Sequence, residues 1–365
     1  MKILLIGEYS NVHWTLAEGL RQAGHQVTVV SNGDFWKNYP RDIDVSRPEG
    51  RFGGLRLLCR VCRLLPQLRG YDIVQLINPM FLELRAERLS GIYRYLRHHN
   101  KRIVLGAYGM DWYWVNTCTT QKPLRYSDFN IGSQLRTDAC ALREQHDWMG
   151  TAKERLNKTI AADADAIVTC LYEYDVCYRP VFPQKTCFIP LPIRLPEHST
   201  TSRCQRSKVC FFIGISRGRS QYKGTDIMLQ AAKDLQQRYG HRMKLNVADG
   251  VPFSQYTQLM EGSDAILDQL YSYTPSMNSL LAMSKGIICI GGGEPENYDI
   301  IREQELRPII NVEPSYQSVY DAMEQLILHP ERIEDLKRQS VAYVRRHHDY
   351  LSVARRYEAL YLSLL

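Results

Sequence analysis

The sequence predicts an α/β protein built from two doubly wound parallel sheets in series. Three observations predict it. Short apolar runs alternate twice with helical patterns, a proline-rich stretch divides the two series, and 365 residues are too many for one ordinary core. A hydrophobic fraction of 44% and a charged fraction of 23% are those of a globular chain, which excludes a disordered or fibrous protein.

The first series opens on the apolar run Ile3 to Ile6, which ends at Gly7. A helical pattern follows in Trp14, Leu16, Ala17 and Leu20 and is stopped by Gly24, after which Gln26 to Ser31 (QVTVVS) reads as a strand. Strand, helix, strand in this order implies a parallel sheet with right-handed crossovers. The rhythm continues through a strand at Asp72 to Ile77, a helix at Leu82 to His98, and strands at Arg102 to Leu105 and Asp165 to Cys170. The second series begins with the strand Val209 to Gly214 and the helix Thr225 to Tyr239. Strands then follow at Lys244 to Val247 and Ala265 to Leu267, a helix near Asn278 to Ser284, and a strand at Gly286 to Ile290. Between the series, Phe188 to Pro196 carries three prolines and His198 to Ser207 is polar, as a linker requires. After Arg332 a long helical pattern runs through Leu336, Val341, Val344, Val353, Tyr357, Leu360 and Leu364. The expected organisation is a Rossmann-like domain over 1–195, a second over 205–340, and a helix over 341–365.

The opening MKILLIG is far shorter than the apolar core of an export signal, and no apolar stretch reaches the roughly 18 residues that span a bilayer. Ten cysteines without such a signal read as reduced thiols, so a cytoplasmic location is expected. Cys59 and Cys62 form a CxxC with no second pair at zinc spacing, which argues against a metal site. The net charge of +7 lies almost wholly in residues 1–200, with 26 Lys and Arg against 20 Asp and Glu, while the remainder holds 20 against 19. Its densest part is Arg51 to Arg69, where five arginines alternate with leucines and no acid intervenes. That composition suits a helix lying on an anionic membrane surface, and equally a domain helix with a solvated basic face. No nucleic-acid partner is expected.

In open α/β sheets ligands sit at the carboxyl ends of the strands, where loops and helix N-termini present amides. The loop after Val209 to Gly214 holds Arg217, Arg219 and Lys223, three cations that suit a diphosphate. Ser276 and Asn278 start the helix after the strand Ala265 to Leu267 and leave its first amides for an anion. Gly292 and Gly293 would let backbone approach a ligand, with Glu294 and Glu296 next in line for sugar or ribose hydroxyls. Two Asp-x-Asp strings, Asp42 to Asp44 and Asp163 to Asp165, do not follow a strand and read as surface acids rather than metal ligands.

The arrangement resembles the retaining GT-B glycosyltransferases of family 4 over nearly the whole chain. The family's second-domain loop, G-R-L-x-x-x-K-G, is matched by Lys223-Gly224 with Arg219 or Arg217 as its arginine. FIPLPI resembles the family's interdomain strand, and HHDYLSVARRYEALYLSLL its closing helix, which implies that 341–365 returns across the N-terminal domain. RIVLGAYGMDWYW resembles the H-G-x-D segment facing the cleft, with Tyr108 in place of histidine and Asp111 retained. The family's two glutamates, eight positions apart before A-M-A-x-G, are replaced by Tyr273 and Leu281; Glu294, Glu296 or Asp268 are candidates to substitute. The resemblance implies sugar transfer from a nucleoside diphosphate donor to a hydroxyl of a glycan or lipid-linked glycan, as in surface polysaccharide synthesis. It also implies that configuration is retained and that no cofactor beyond the donor is needed; with no acidic pair at a strand's carboxyl end, no metal is expected to take part. Asp111 is the expected reaction-centre carboxylate, and Asn11, His13 and Tyr108 are expected to meet the acceptor. A sugar-nucleotide epimerase and a non-catalytic nucleotide-sugar-binding partner of another transferase share this plan.

Overall fold

The computed structural model describes residues 1–196 and 208–365; the polar end of the expected linker and the boundary at 205 lie outside them. The chain divides into two compact units. The first comprises Met1–Thr120, Glu144–Pro192 and Tyr350–Leu365, and the second Gln121–Arg143 and Ile193–Asp349.

The strands of the first half are β1 (Lys2–Ile6), β2 (Gln26–Ser31), β3 (Ile43–Asp44), β4 (Ile73–Leu76), β5 (Arg102–Ala107), the short pair β6 (Asn130–Ile131) and β7 (Gln134–Leu135), β8 (Ala166–Thr169) and β9 (Thr186–Phe188). In the first unit they form one parallel sheet of order β3-β2-β1-β4-β5-β8-β9, a doubly wound sheet whose order reverses between β1 and β4. The register places Ile3 beside Val27 and Ile73, so the apolar runs read in the sequence lie side by side in the sheet centre.

The helix Tyr350–Leu364 belongs to this unit, burying Val353, Ala354, Tyr357 and Tyr361. It lies close against the helix Val12–Gln22. A Cβ at Gly19 would stand 2.6 Å from the Ala354 Cβ and 2.9 Å from the Tyr350 carbonyl, so this approach requires glycine. The continuous pattern expected from 341 is in fact two helices. Ile333–His347 belongs to the second unit, and the chain breaks at His348 and Asp349, where the Ile193 N–H donates to the His348 carbonyl (2.6 Å).

The second unit has five parallel strands, β10 (Val209–Ile215), β11 (Met243–Asp249), β12 (Ala265–Leu267), β13 (Ile288–Gly291) and β14 (Ile310–Asn311), in the order β11-β10-β12-β13-β14. Its core joins Phe211, Ile213, Met228, Leu235, Leu267, Ile288, Val319 and Met323. One side of the β10 crossover goes to β11 and the other to β12, so the order reverses between β10 and β12. That is where such sheets open a crevice at the strands' carboxyl ends. The unit also contains Gln121–Arg143, with the antiparallel β6–β7 pair, a stretch expected within the first domain.

Candidate functional site

Two loops meet at the reversal point of the second sheet. After β10 the chain makes a tight turn, Arg217–Arg219, and a short helix, Ser220–Lys223. It then passes through Gly224 in the left-handed region (φ 72°), where a Cβ would lie 2.5 Å from the Leu270 Cβ. The Leu270 N–H donates to the Lys223 carbonyl (2.9 Å), so this loop and the one after β12 are in direct contact. Arg219 is exposed and lies over the Tyr222 ring at 5.5 Å, Lys223 is half-buried, and the Arg217 side chain lies outside the described residues.

After β12, Asp268 is buried and accepts from Ser276 Oγ and Asn278 Nδ2, both at 3.0 Å, and from Ser279 Oγ. Asn278 Oδ1 accepts from the Tyr256 hydroxyl (3.0 Å), and the Tyr256 ring covers Gly214 at the end of β10. Ser276 and Asn278 therefore point back at Asp268. With the Ser276 hydroxyl so occupied, no side chain caps the helix Met277–Ser284, and its leading amides keep the capacity to meet an anion.

The glycine run after β13 serves packing. A Cβ at Gly292 would stand 2.2 Å from the Ser272 carbonyl, and one at Gly293 2.6 Å from Ile309 Cγ2, so these residues seat the third loop on its neighbours rather than leave room for a ligand. Glu294 and Glu296 are likewise engaged within the protein. Glu294 is buried and accepts from Tyr126, from Asn311 Nδ2 (2.9 Å) and from Arg125 Nη2 (2.7 Å). Glu296 is gripped by both Arg125 nitrogens (2.6 and 3.1 Å), which hold its carboxyl below the usual range. Tyr273, at the place of the family's first glutamate, is buried; its hydroxyl accepts from the Arg125 N–H (2.7 Å), and burial pushes its pKa up to about 12. Arg125, Tyr126 and Arg136 went unnoticed in the sequence because they lie in a polar stretch far from any strand of this sheet.

In the first unit, the residues expected at an acceptor site divide between surface and interior. Asn11 is half-buried with φ 70° and donates to Thr15 Oγ1 (3.2 Å). His13 and Tyr108, by contrast, belong to the core. His13 Nδ1 donates to the Gly7 carbonyl (2.8 Å), and Gln75 Nε2 donates to His13 Nε2 (3.1 Å) and to the Tyr108 oxygen (3.2 Å). Gln75 Oε1 accepts from Tyr361 (2.6 Å), and Tyr108 bonds Tyr357. Burial lowers the His13 pKa to about 3, so the ring is neutral. The amides of His13 and Trp14 donate to Glu8, a buried carboxyl just before the helix whose pKa desolvation raises to about 8, so these leading amides already have a partner within the chain.

Asp111 has no exposed surface. It accepts from the Trp114 N–H (2.9 Å) and from Tyr178 (2.6 Å), whose hydroxyl accepts in turn from Asn157 Nδ2 (3.0 Å). This is a helix-capping carboxylate inside a closed network, and the geometry carries a structural role rather than the expected place at a reacting sugar. Desolvation raises its pKa to about 6 from 3.8. A raised native pKa gives stability that is full below pH 3.8 and is lost as pH rises through 6. The stability difference between wild type and Asp111→Asn is thus expected to shift against the wild type, by on the order of 3 kcal/mol, from pH 4 to pH 7. Denaturant titrations across that range check it, and a constant difference would show that the native carboxyl titrates normally.

Both Asp-x-Asp strings are tied up locally: Asp42 with Arg21, Asp44 with Arg41, Asp163 and Asp165 with Arg97. Among the described residues, no group of three or more His, Cys, Asp or Glu could hold a metal, and no helix is long and apolar enough to cross a membrane.

No protein-family model matches the chain, and no curated relative matches its sequence. Solved structures do match its shape. Sucrose-phosphate synthase from Thermosynechococcus elongatus superposes with a TM-score of 0.65 at 13% identity, covering 100% of this chain and 99% of that one. Anabaena HepE in complex with UDP-glucose gives 0.61 at 12%, covering 100% of both chains. WaaG, a glycosyltransferase of lipopolysaccharide biosynthesis, gives 0.57 at 13%, covering 98% of both. At these identities the likeness establishes the fold: two Rossmann-like units of the GT-B type, as the sequence led one to expect.

Proposed function

We propose that this chain is a glycosyltransferase that takes a sugar from a nucleoside diphosphate donor bound on its second unit and transfers it to a glycan or lipid-linked glycan hydroxyl. The observation that carries the reading is the meeting of a cationic loop and a helix start without a side-chain cap at the carboxyl ends of β10 and β12, where the strand order reverses. The solved structures of this fold support it. HepE has been solved with UDP and with UDP-glucose, and the catalytic domain of starch synthase IV from Arabidopsis thaliana with ADP and acarbose.

In this reading Arg219, Lys223 and Arg217, with the leading amides of Met277–Ser284, stabilise the departing diphosphate, a task that needs no metal. Ser276 and Asn278 act from behind, through Asp268, by keeping the helix start in place. Retention of configuration belongs to the same proposal and rests on the family resemblance. Calorimetry of the whole chain with UDP, ADP, GDP and dTDP, followed by transfer assays with the matching nucleotide sugars, tests the reading. Binding by none of them removes it.

A peripheral membrane contact is the second part of the proposal. On the helix Gly53–Leu64, Leu57 and Val61 are buried, whereas Arg56, Arg60 and Arg63 share the exposed face with Leu55 (59% exposed) and, just before the helix, Phe52 (61%). Each basic residue near an anionic surface contributes about 1 kcal/mol, so the triple change to Gln is expected to abolish co-sedimentation with phosphatidylserine vesicles at physiological salt. Equal sedimentation of both proteins would leave this face merely solvated.

A further inference from the structure

The segment Gln121–Arg143 comes from the first half of the sequence, yet it touches all three loops at the carboxyl edge of the second sheet. Arg125 and Tyr126 hold Glu294 and Glu296 beyond β13. Asp128 accepts from Tyr222 in the cationic loop, and the Cys140 thiol donates to the Gly218 carbonyl there (3.2 Å). The central contact is Arg136, buried and paired with Asp138 at 3.1 Å. Its guanidinium donates to the Gln221 carbonyl (2.8 Å) and the Tyr222 carbonyl (3.2 Å), and it lies on the Tyr271 ring at 3.7 Å from the centroid. One side chain thus joins the loop after β10 to the loop after β12.

The chemistry calls for such a joint. The Ser220–Lys223 helix is one turn long, so its carbonyls take partners from outside it: Gly224 and Leu270 N–H groups serve those of Gln221 and Lys223, and Arg136 serves those of Gln221 and Tyr222. A planar fork can donate to two of those carbonyls while one face stacks on an aromatic ring; the ammonium of lysine, a compact point charge, cannot do both. Holding the loop in its binding conformation before the ligand arrives removes part of the ordering cost from association.

Resting on the donor-site reading above, we infer that Arg136 is a positioning residue for the diphosphate, and that Gln121–Arg143 is a brace within the second unit that sets its affinity for the donor. Arg136 acts through the Ser220–Lys223 loop and touches no ligand itself. Removing it therefore weakens the grip on the terminal phosphate more than the grip on the rest of the nucleotide.

The test uses the full chain. Calorimetry first identifies which of UDP, ADP, GDP and dTDP the wild type binds most tightly, and the corresponding monophosphate is measured beside it. Arg136→Lys and Arg136→Met are then compared for both ligands, with thermal melts of each protein. The expected result is melting close to wild type and a loss of at least about tenfold in diphosphate affinity in both variants, with a clearly smaller loss for the monophosphate. Added ethylguanidinium should restore part of the diphosphate affinity to Arg136→Ala. Unchanged diphosphate affinity, equal losses for both ligands, or loss of the cooperative melt in both variants would each overturn the inference, the last two by making Arg136 a residue of the fold. If the wild type binds none of the four diphosphates, the donor-site reading itself fails and this inference falls with it, a result visible before any variant is made.

Discussion

Replacing Arg219 and Lys223 together by Ala is expected to lower nucleoside diphosphate affinity by about 3 kcal/mol, a factor of roughly 150, without changing the melting temperature of the free protein. Each residue supplies one charge-assisted contact of about 1.5 to 3 kcal/mol, and the lower end applies because Arg219 is exposed and its field is screened. The melt is expected to hold because Arg219 is exposed, lying over the Tyr222 ring, and the loop's backbone is fixed by Arg136 and by the Leu270 amide. Calorimetry at low and physiological salt checks both parts. The loss should be larger at low salt, where Coulombic contacts count for more. A double variant that binds diphosphate as the wild type does would move the anion site off this loop.

The sequence was most legible where one pattern admits one fold. Runs such as ILLIG, QVTVVS and VCFFIG are short, apolar on both faces and separated by helical patterns, which together point to central parallel strands, and these runs do form the two doubly wound sheets. The cationic loop was legible for the same reason, since a strand's carboxyl end locates it. Residues whose roles depend on which way a side chain turns were less so. His13 and Tyr108 read as strand-end residues that could meet a ligand, yet both turn inward, because Gln75 offers each a partner in the core and the Gly7 carbonyl and Tyr357 complete the set. Glu294 and Glu296 read as ligand carboxylates for want of any sign that Arg125, about 170 positions away, would take them. The brace itself left almost no trace. Its two strands have two residues each and its contacts are polar, so neither periodicity nor hydrophobic length marks it.

The other large effect belongs to the core network of the first unit. Gln75→Leu is expected to destabilise that unit by about 3 to 9 kcal/mol, because three buried partners lose their mates at once, at about 1 to 3 kcal/mol each. His13 Nε2 loses its donor, the Tyr361 hydroxyl loses its acceptor, and the Tyr108 oxygen loses the amide that fixes it. No water can be assumed to replace them, since His13, Gln75 and Tyr361 have no exposed surface and the site is closed by Tyr108 and Tyr357. The network makes a sharper statement than the single change does. Tyr361→Phe alone leaves Gln75 Oε1 without a donor and should cost about 1 to 3 kcal/mol, but in the Gln75→Leu background it removes a hydroxyl that is already orphaned and should cost nothing or stabilise. Because Tyr361 lies on the helix Tyr350–Leu364, the same cycle measures how much this one buried hydrogen bond contributes to holding that helix to the sheet. Denaturant unfolding of the four proteins decides it: additive losses would mean that Gln75 and Tyr361 act independently, and that this bond adds nothing to the helix's other contacts, among them Tyr108–Tyr357 and His25–Glu358.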